Sequence, residues 1–225
     1  MTNILIRIND LVDGLAEKTS FIPSLLLRLY LAPVFWIAGT NKLASFDSTV
    51  EWFGNPDWGL GLPMPWLMTA LATATEVFGA ILLLLGLGTR YVTIPLMITM
   101  LVAAFTVHWQ NGWQAVADSS SAFASEKLGF LQLEDASGAT ERLQRARAIL
   151  EEHGNYDWLT ETGSIVISNN GIEWAATYFL MLLALFALGG GRYLSLDDWI
   201  SRRIRQSRKT HAAEHEPVRP PEKHG

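Results

Sequence analysis

Two charged residues lie inside otherwise apolar stretches of this sequence, and they are the first candidates for chemistry. Arg28 lies seven residues into one apolar run, and Glu76 lies ten residues into another. A charge near the centre of a bilayer costs about 2.5–3.5 kcal/mol on insertion scales, so it is normally paired or used for function. At about 1.5 Å of rise per residue, both side chains reach similar depths. We therefore expect an intramembrane charge pair between Arg28 and Glu76, which either serves a function or only fixes helix register.

A second candidate group consists of Lys42, His108 and Glu173. They lie at the ends of three apolar runs that should meet on the same side of a membrane. A protonatable histidine and glutamate beside aromatic residues could bind a quinone head group, or another substrate, and exchange its protons. The alternative is that Lys42 extends to the interface and His108 interacts with a helix end, with no ligand involved.

Metal and cofactor chemistry has little support in the residue types. The sequence has no cysteine, which excludes disulfides, a cysteine nucleophile, thiolate-held iron–sulfur clusters and cysteine-type zinc sites. His108 is the only histidine in an apolar run, so one chain cannot supply a bis-histidine haem. Met97 and Met100 could offer thioethers to Cu(I), but flexible core filling explains them better. We expect no metal site and no intrinsic cofactor, with quinone as the candidate ligand.

Four apolar runs must position these residues. They cover residues 21–39, 66–87, 91–108 and 172–188. An α-helix needs about 20 residues to cross a hydrocarbon core about 30 Å thick, whereas buried helices of soluble proteins are usually shorter and keep one polar face. The sequence is 49% hydrophobic and only 17% charged. It predicts an all-α fold, an integral membrane four-helix bundle with a transmembrane domain over residues 21–188.

Polar segments flank the bundle. Residues 1–20 and 196–204 repeat apolar side chains at helical spacing, which predicts interfacial amphipathic helices. Residues 109–171 form one long extracytoplasmic loop with a helix expected at 141–152. The tail, 189–225, is basic, and we expect disorder from about Arg208.

Charge distribution predicts how the chain sits in the membrane. The basic tail is expected in the cytoplasm, and four spans place the N-terminus there as well. Acidic and basic residues precede Phe21, and no small-residue cleavage site follows the first run, so we expect that run to remain as a span. The net charge is −5, and no basic stripe with interleaved aromatics is present, so we expect no nucleic-acid partner.

The first three runs also carry a family pattern. The segments that carry it are Arg28–Leu31, Phe35–Lys42, Leu62–Pro63, Ala74–Arg90 and Met100–His108. On these segments the chain resembles the DoxX family of small four-helix membrane proteins, over roughly residues 21–108. The family pattern overlays Arg28, Lys42, Glu76 and Arg90. The resemblance implies a link to quinone-dependent thiosulfate oxidation or to membrane redox complexes that handle thiol stress, although many members have no demonstrated activity.

Two hypotheses of different class follow. The first is a quinone-interacting subunit of a membrane redox or stress-response system, in which a partner supplies the electrons. The second is a non-enzymatic membrane anchor or assembly partner for other proteins. A transporter is a distant third, because no pair of spans is visibly broken. The first two readings place a multi-pass protein in a bacterial inner membrane, in contact with the lipid bilayer and with a protein partner or a second copy.

Overall fold

The computed structural model describes residues 2–117 and 137–214, which form nine α-helices with short connections. The helices are α1 Thr2–Thr19, α2 Phe21–Ala44, α3 Phe46–Gly54, α4 Pro65–Leu85, α5 Thr89–Val102, α6 Ser137–His153, α7 Tyr156–Leu159, α8 Glu173–Leu188 and α9 Leu196–Glu214. Helix α5 continues as one π-helical turn, Ala103–His108, and a short 3-10 turn, Trp109–Asn111. Within these ranges β structure is limited to one isolated bridge, between Val116 and Ser168.

Three of the described helical segments are long and apolar enough to cross a membrane. They are Ile4–Ala44, Pro65–Leu85 and Thr89–Asn111. The fourth apolar helix, Glu173–Leu188, has 16 residues, about 24 Å at 1.5 Å per residue, which is shorter than a hydrocarbon core of about 30 Å. The fold is therefore an all-helical membrane protein as expected. By length, three helical segments can span a membrane completely, and the fourth apolar helix is shorter.

The four apolar helices share one core. Leu31 of α2, Leu83 of α4, Leu96 of α5 and Leu182 of α8 are all fully buried and belong to the same cluster. Helix α2 packs chiefly on α4, and α5 packs chiefly on α8. Large apolar side chains cover the outside of the bundle, among them Phe78, which is 64% exposed. Such a surface is stable only against lipid or another apolar partner.

Close packing of α2 on α4 depends on Gly39. A Cβ atom at this position would lie 2.7 Å from Val77 Cγ2 and 3.0 Å from Glu76 Cβ, closer than side chains tolerate. Small residues let membrane helices approach closely in this way. Gly39 therefore sets which residues of the two antiparallel helices face each other.

The polar flanks agree only in part with the sequence-based expectations. The helix expected at 141–152 is confirmed as α6, which ends at His153, just before Gly154. Only Ser20 separates α1 from α2. The disorder expected from Arg208 is wrong up to Glu214, because α9 continues to that residue, and residues 215–225 lie outside the described part.

The bundle has two ends, the tail end and the far end. The tail end is where α4 and α8 finish, α5 begins and α9 packs. The far end is where α2 and α5 finish and where α4 and α8 begin.

Candidate functional site

A buried ion pair joins α2 to α4 in the far half of the bundle. Lys42 Nζ lies 2.7 Å from Glu76 Oε2 and 2.9 Å from Glu76 Oε1. The Glu76 side chain is 3% exposed and that of Lys42 is 27% exposed. Lys42 comes from the last turn of α2, so its flexible stem can enter from the edge while Glu76 stays inside. A carboxylate this deeply buried needs a cation beside it, and Lys42 supplies one.

The predicted pair between Arg28 and Glu76 does not form. Gly39 packs against Glu76, whereas Arg28 packs against Gly86, at the other end of α4. The eleven residues from Arg28 to Gly39 correspond to about 16 Å of helix. Similar depths were expected for Arg28 and Glu76 because each apolar run was assumed to end at the membrane boundary. Helix α2 instead continues to Ala44, and the register against α4 puts Lys42, not Arg28, beside Glu76.

Two threonines extend the polar face of α4 above Glu76. Thr69 is fully buried and Thr73 is 5% exposed. Neither hydroxyl has a hydrogen-bond partner among the described residues. With Glu76 they recur at helical spacing, so one stripe of α4 presents two hydroxyls and a carboxylate to the interior. The arrangement can hold water or another small hydrogen-bonding group next to the ion pair.

His108 and Glu173 lie where two loops pair at the far end. Backbone hydrogen bonds tie residues 112–117 to residues 167–173. His108 Nδ1 lies 2.8 Å from the Asn170 carbonyl oxygen. Glu173 Oε2 accepts a hydrogen bond of 2.9 Å from the Ala115 backbone N–H. The pairing fixes both predicted side chains relative to the end of α5.

Lys42 does not join this group. Its hydrogen bonds go to Glu76, and no hydrogen bond or ion pair among the described residues links it to His108 or Glu173. The expected three-residue cluster is therefore divided between the interior ion pair and the paired loops.

An apolar groove of about 230 Å³ runs beside the paired loops. It lies between the π-helical turn and α8, and its lining includes Phe105, Trp109, Ile172 and Phe179. The rings of Phe105 and Trp109 lie 5.2 Å apart, centroid to centroid. His108 and Glu173 each adjoin a lining residue in sequence. Wide helical turns of this kind are frequent at functional sites.

Arg28 has a different environment at the tail end. It is 1% exposed, and its Nη2 donates to the Leu194 carbonyl oxygen at 2.7 Å. A longer contact of 3.4 Å runs from Nη1 to the carbonyl oxygen of Leu83. Gly86 makes room for the guanidinium and takes a left-handed conformation, φ +63°, that ends α4. Arg28 thus links the end of α4 to the chain that leads into α9.

Asp197 completes this link from the other side. Its carboxylate accepts hydrogen bonds from the backbone N–H groups of Gly88, at 2.6 Å, and Thr89, at 2.9 Å. It therefore caps the start of α5 from a residue more than a hundred positions away in sequence. Asp197 was not among the site residues predicted from the sequence. The local signal is the sequence Ser195-Leu196-Asp197-Asp198, which indicates the start of a helix but not a contact with α5.

The sequence-predicted residues thus occupy separate places. The structure brings Lys42 to Glu76, and it places His108 at the end of the π-helical turn and Glu173 at the start of α8, each bonded to one of the two paired loops. It leaves Arg28 at the opposite end with backbone partners. The groove could not be found from sequence, because it depends on the π-helical turn and on how α8 packs there. Among the described residues no group of three or more His, Asp or Glu side chains is placed to hold a metal ion.

Comparison with known proteins matches the part of the chain that holds most of these residues. Residues 24–109 match the family model described as DoxX. "Putative oxidoreductase CatD" of Bacillus subtilis (strain 168) is 32% identical over 91 residues, which cover 40% of this chain and 63% of that protein. "Inner membrane protein YphA" of Escherichia coli (strain K12) is 33% identical over 95 residues, 42% of this chain and 64% of that protein. The match spans less than two thirds of each relative. No solved structure matches the chain.

Proposed function

We propose that this DoxX-family membrane protein, whose DoxX domain spans residues 24–109, is a quinone-interacting subunit of a membrane redox or stress-response system. The observation that carries the proposal is the apolar groove lined by Trp109 and Ile172, the chain neighbours of His108 and Glu173, because a quinone has a flat ring and an apolar tail. Aromatic residues such as Phe105 and Trp109 suit both parts of such a ligand. A similar protein bears the name "Putative oxidoreductase CatD", which favours a redox role.

In this proposal His108 exchanges protons with the quinone. The Asn170 carbonyl oxygen accepts only, so Nδ1 of His108 carries a proton and Nε2 of the neutral ring can take one. Reduction of a quinone to a quinol requires two electrons and two protons. Because the sequence contains no cysteine, we propose that a protein partner, not a thiolate-bound centre of this chain, delivers the electrons.

Lys42 and Glu173 take supporting roles. Glu173 holds the Ala115 N–H and so keeps the paired loops beside the groove. Lys42 neutralises the charge of Glu76, so that the contact between α2 and α4 holds no unpaired charge. We place the protein in the bacterial inner membrane with both termini in the cytoplasm, in line with the tail's positive charge and with the name of the similar protein YphA.

The alternative function is a non-enzymatic membrane anchor or assembly partner. The favouring observation lies in the segment between α5 and α8, where Trp158 is 69% exposed and Ile149 is 60% exposed. Exposed apolar side chains of this size are typical of protein-binding surfaces. This function requires no quinone, so one experiment separates the two.

The test is photo-crosslinking of an azido-quinone to the protein in lipid nanodiscs, followed by peptide mapping. We expect labelling within Met100–Trp109 and Ile172–Leu180, and we expect His108→Ala to reduce the apparent affinity by roughly tenfold, the loss of one hydrogen bond to the head group. His153→Ala is the matched control, because His153 lies on exposed α6, away from the groove. Labelling elsewhere, or none that unlabelled quinone displaces, would favour the anchor.

A further inference from the structure

A wide cleft opens at the tail end of the bundle, away from both the ion pair and the groove. It has a volume of about 750 Å³ and lies between the start of α5, the end of α8 and helix α9. Its rim carries three exposed arginines, Arg90, Arg192 and Arg205. Gly189, Gly190 and Gly191 form part of its wall, so no side chain of that segment fills the cleft.

The arginines of the rim have donors to spare. Arg90 uses Nη2 to hold the Ala187 carbonyl oxygen at the end of α8. Within residues 2–117 and 137–214, the guanidinium groups of Arg192 and Arg205 donate no hydrogen bond to a protein group. A planar guanidinium with free donors matches the oxygen atoms of a phosphate group.

The acidic residues of the same cleft are already occupied. Asp197 accepts the N–H groups of Gly88 and Thr89. Asp198 accepts the Tyr193 N–H at 3.0 Å and pairs with Arg202 at 2.8 Å. Arg192 is near enough to Asp198 to interact electrostatically. The three rim arginines outnumber the two aspartates of the cleft, and Asp198 is already paired with Arg202, so the cleft retains a net positive charge.

One wall of the cleft is apolar. Ile94 of α5 and Phe186 of α8 line it, and they are 42% and 40% exposed. Both belong to the surfaces of membrane-type helices, where acyl chains would run. A ligand that fits must therefore combine an anionic head with an apolar body.

The neighbouring helix α9 favours a position at the membrane surface. It combines exposed apolar residues with arginines, and Trp199 is 56% exposed. The Arg203 guanidinium lies 5.2 Å from the centre of the Trp199 ring, and that of Arg202 lies 5.1 Å from the centre of the Tyr193 ring. Amphipathic basic helices with a tryptophan are typical of the lipid–water interface. The cleft below α9 is thus at head-group depth.

We propose that this cleft is a binding site for an anionic phospholipid. The lipid phosphate lies among Arg90, Arg192 and Arg205, and the acyl chains lie along Ile94 and Phe186. The bound lipid joins α9 to the ends of α5 and α8. Basic pockets between membrane helices on the positively charged side recognise anionic lipids through the same chemistry.

The test is native mass spectrometry of the full chain in mild detergent, with phosphatidylglycerol added and phosphatidylcholine of the same acyl chains as the comparison. The double variant Arg192→Gln/Arg205→Gln removes two rim charges without breaking a hydrogen bond. The double variant Arg203→Gln/Arg208→Gln removes the same charge from α9 outside the cleft. We expect roughly 10- to 30-fold weaker retention of phosphatidylglycerol in the first variant, and a change of less than about threefold in the second.

Three results would overturn the proposal. They are equal losses in both double variants, no loss in either, and no preference of the wild type for phosphatidylglycerol over phosphatidylcholine. Glycerol phosphate is the soluble probe without acyl chains. If it displaced the lipid at equal concentration, the site would bind free phosphate esters and not lipid. If the first double variant did not fold, Arg205→Gln would be compared with Arg208→Gln, with about a fivefold difference expected.

Discussion

The two ends of the bundle give their buried charged side chains different partners. At the tail end, charged side chains bind backbone groups of distant segments, as Arg28 does with Leu194 and Asp197 does with Thr89. At the far half, Lys42 and Glu76 bind each other, and the hydroxyls of Thr69 and Thr73 have no partner. The tail end is thus built to hold chain segments together. Both ends keep some unused hydrogen-bonding capacity among the described residues, since Arg28 Nε and the Thr89 hydroxyl also lack a partner. In the far half the unused hydroxyls share a helix face with a side-chain ion pair, which is the more typical surrounding of a binding region.

The largest effect should come from splitting the buried ion pair. Lys42→Met leaves the Glu76 carboxylate without its cation, which should lower the free energy of unfolding by about 3–5 kcal/mol. The measurement is thermal or denaturant unfolding of the purified protein in detergent. The double variant Lys42→Met/Glu76→Leu is the control and should recover most of the loss, because an apolar pair carries no desolvation cost. A single variant as stable as wild type would mean that Glu76 is satisfied by something else.

The next effect should come from removing the cap that joins α9 to α5. Asp197→Ala leaves the N–H groups of Gly88 and Thr89 without an acceptor and should cost about 2 kcal/mol. Limited proteolysis should then release the tail segment sooner than in wild type. Asp57→Ala is the control, because Asp57 is exposed and its carboxylate makes no bond among the described residues. Unchanged proteolysis of Asp197→Ala would show that α9 does not depend on this contact.

A smaller effect should distinguish buried hydroxyls that make a hydrogen bond from those that make none. Thr69→Val and Thr73→Val should each change stability by less than about 1 kcal/mol or increase it, since no protein hydrogen bond is lost. Thr93→Val is the matched control. Thr93 is also fully buried, but its hydroxyl donates to the Arg90 carbonyl oxygen at 2.9 Å, so its loss should cost about 1 kcal/mol.

The opposite ranking of the threonine variants would contradict this reading of the far half. If Thr69→Val were more costly than Thr93→Val, the Thr69 hydroxyl would have a partner, either water or a ligand, beside the ion pair.

The smallest expected effect is a loss of stability at the start of α9 in acid. The pKa of Asp198 lies below its usual value. Burial acts in the other direction, but the hydrogen bonds from Arg202 and the Tyr193 N–H and the charges of Arg202 and Arg192 outweigh it. A carboxyl with a lowered pKa contributes stability that is present above its unfolded pKa of about 3.9 and is lost as the pH falls through its folded pKa.

The protection factors of the α9 amides in hydrogen exchange, which are corrected for the intrinsic exchange rate at each pH, should therefore fall below about pH 4. Asp198→Asn is the control and should remove that pH dependence. An α9 segment that loosened equally in both proteins would assign the acid effect to another carboxyl.

Much of the fold was predictable because membrane spans are a local property. Runs of apolar residues identified every one of the four core helices, and a helix near residues 141–152 followed from its apolar repeat. The limits of α2 were not predictable in the same way. Its last turn contains Asn41 and Lys42, polar residues that end an apolar run but not the helix.

The candidate site was predictable only as a set of residues. Arg28, Lys42 and Glu76 stand out because they are charged within or beside apolar runs, but their partners depend on helix register. If the register of α2 against α4 is wrong by a few helical turns, Arg28 instead of Lys42 is placed beside Glu76. The groove beside His108 also required the π-helical turn, for which the sequence carries no recognised signal.

The sequence by itself determined that this chain is a helical membrane protein that resembles the DoxX family over residues 24–109, and it determined which residues carry charge into the apolar region. Apolar length and residue type are sums over neighbouring positions, so they can be read locally. Only the tertiary structure decided that Lys42, not Arg28, neutralises Glu76, and that Asp197 caps α5. Those choices follow from close contacts such as Gly39 against Val77, where packing between distant segments sets the register that fixes every other pairing.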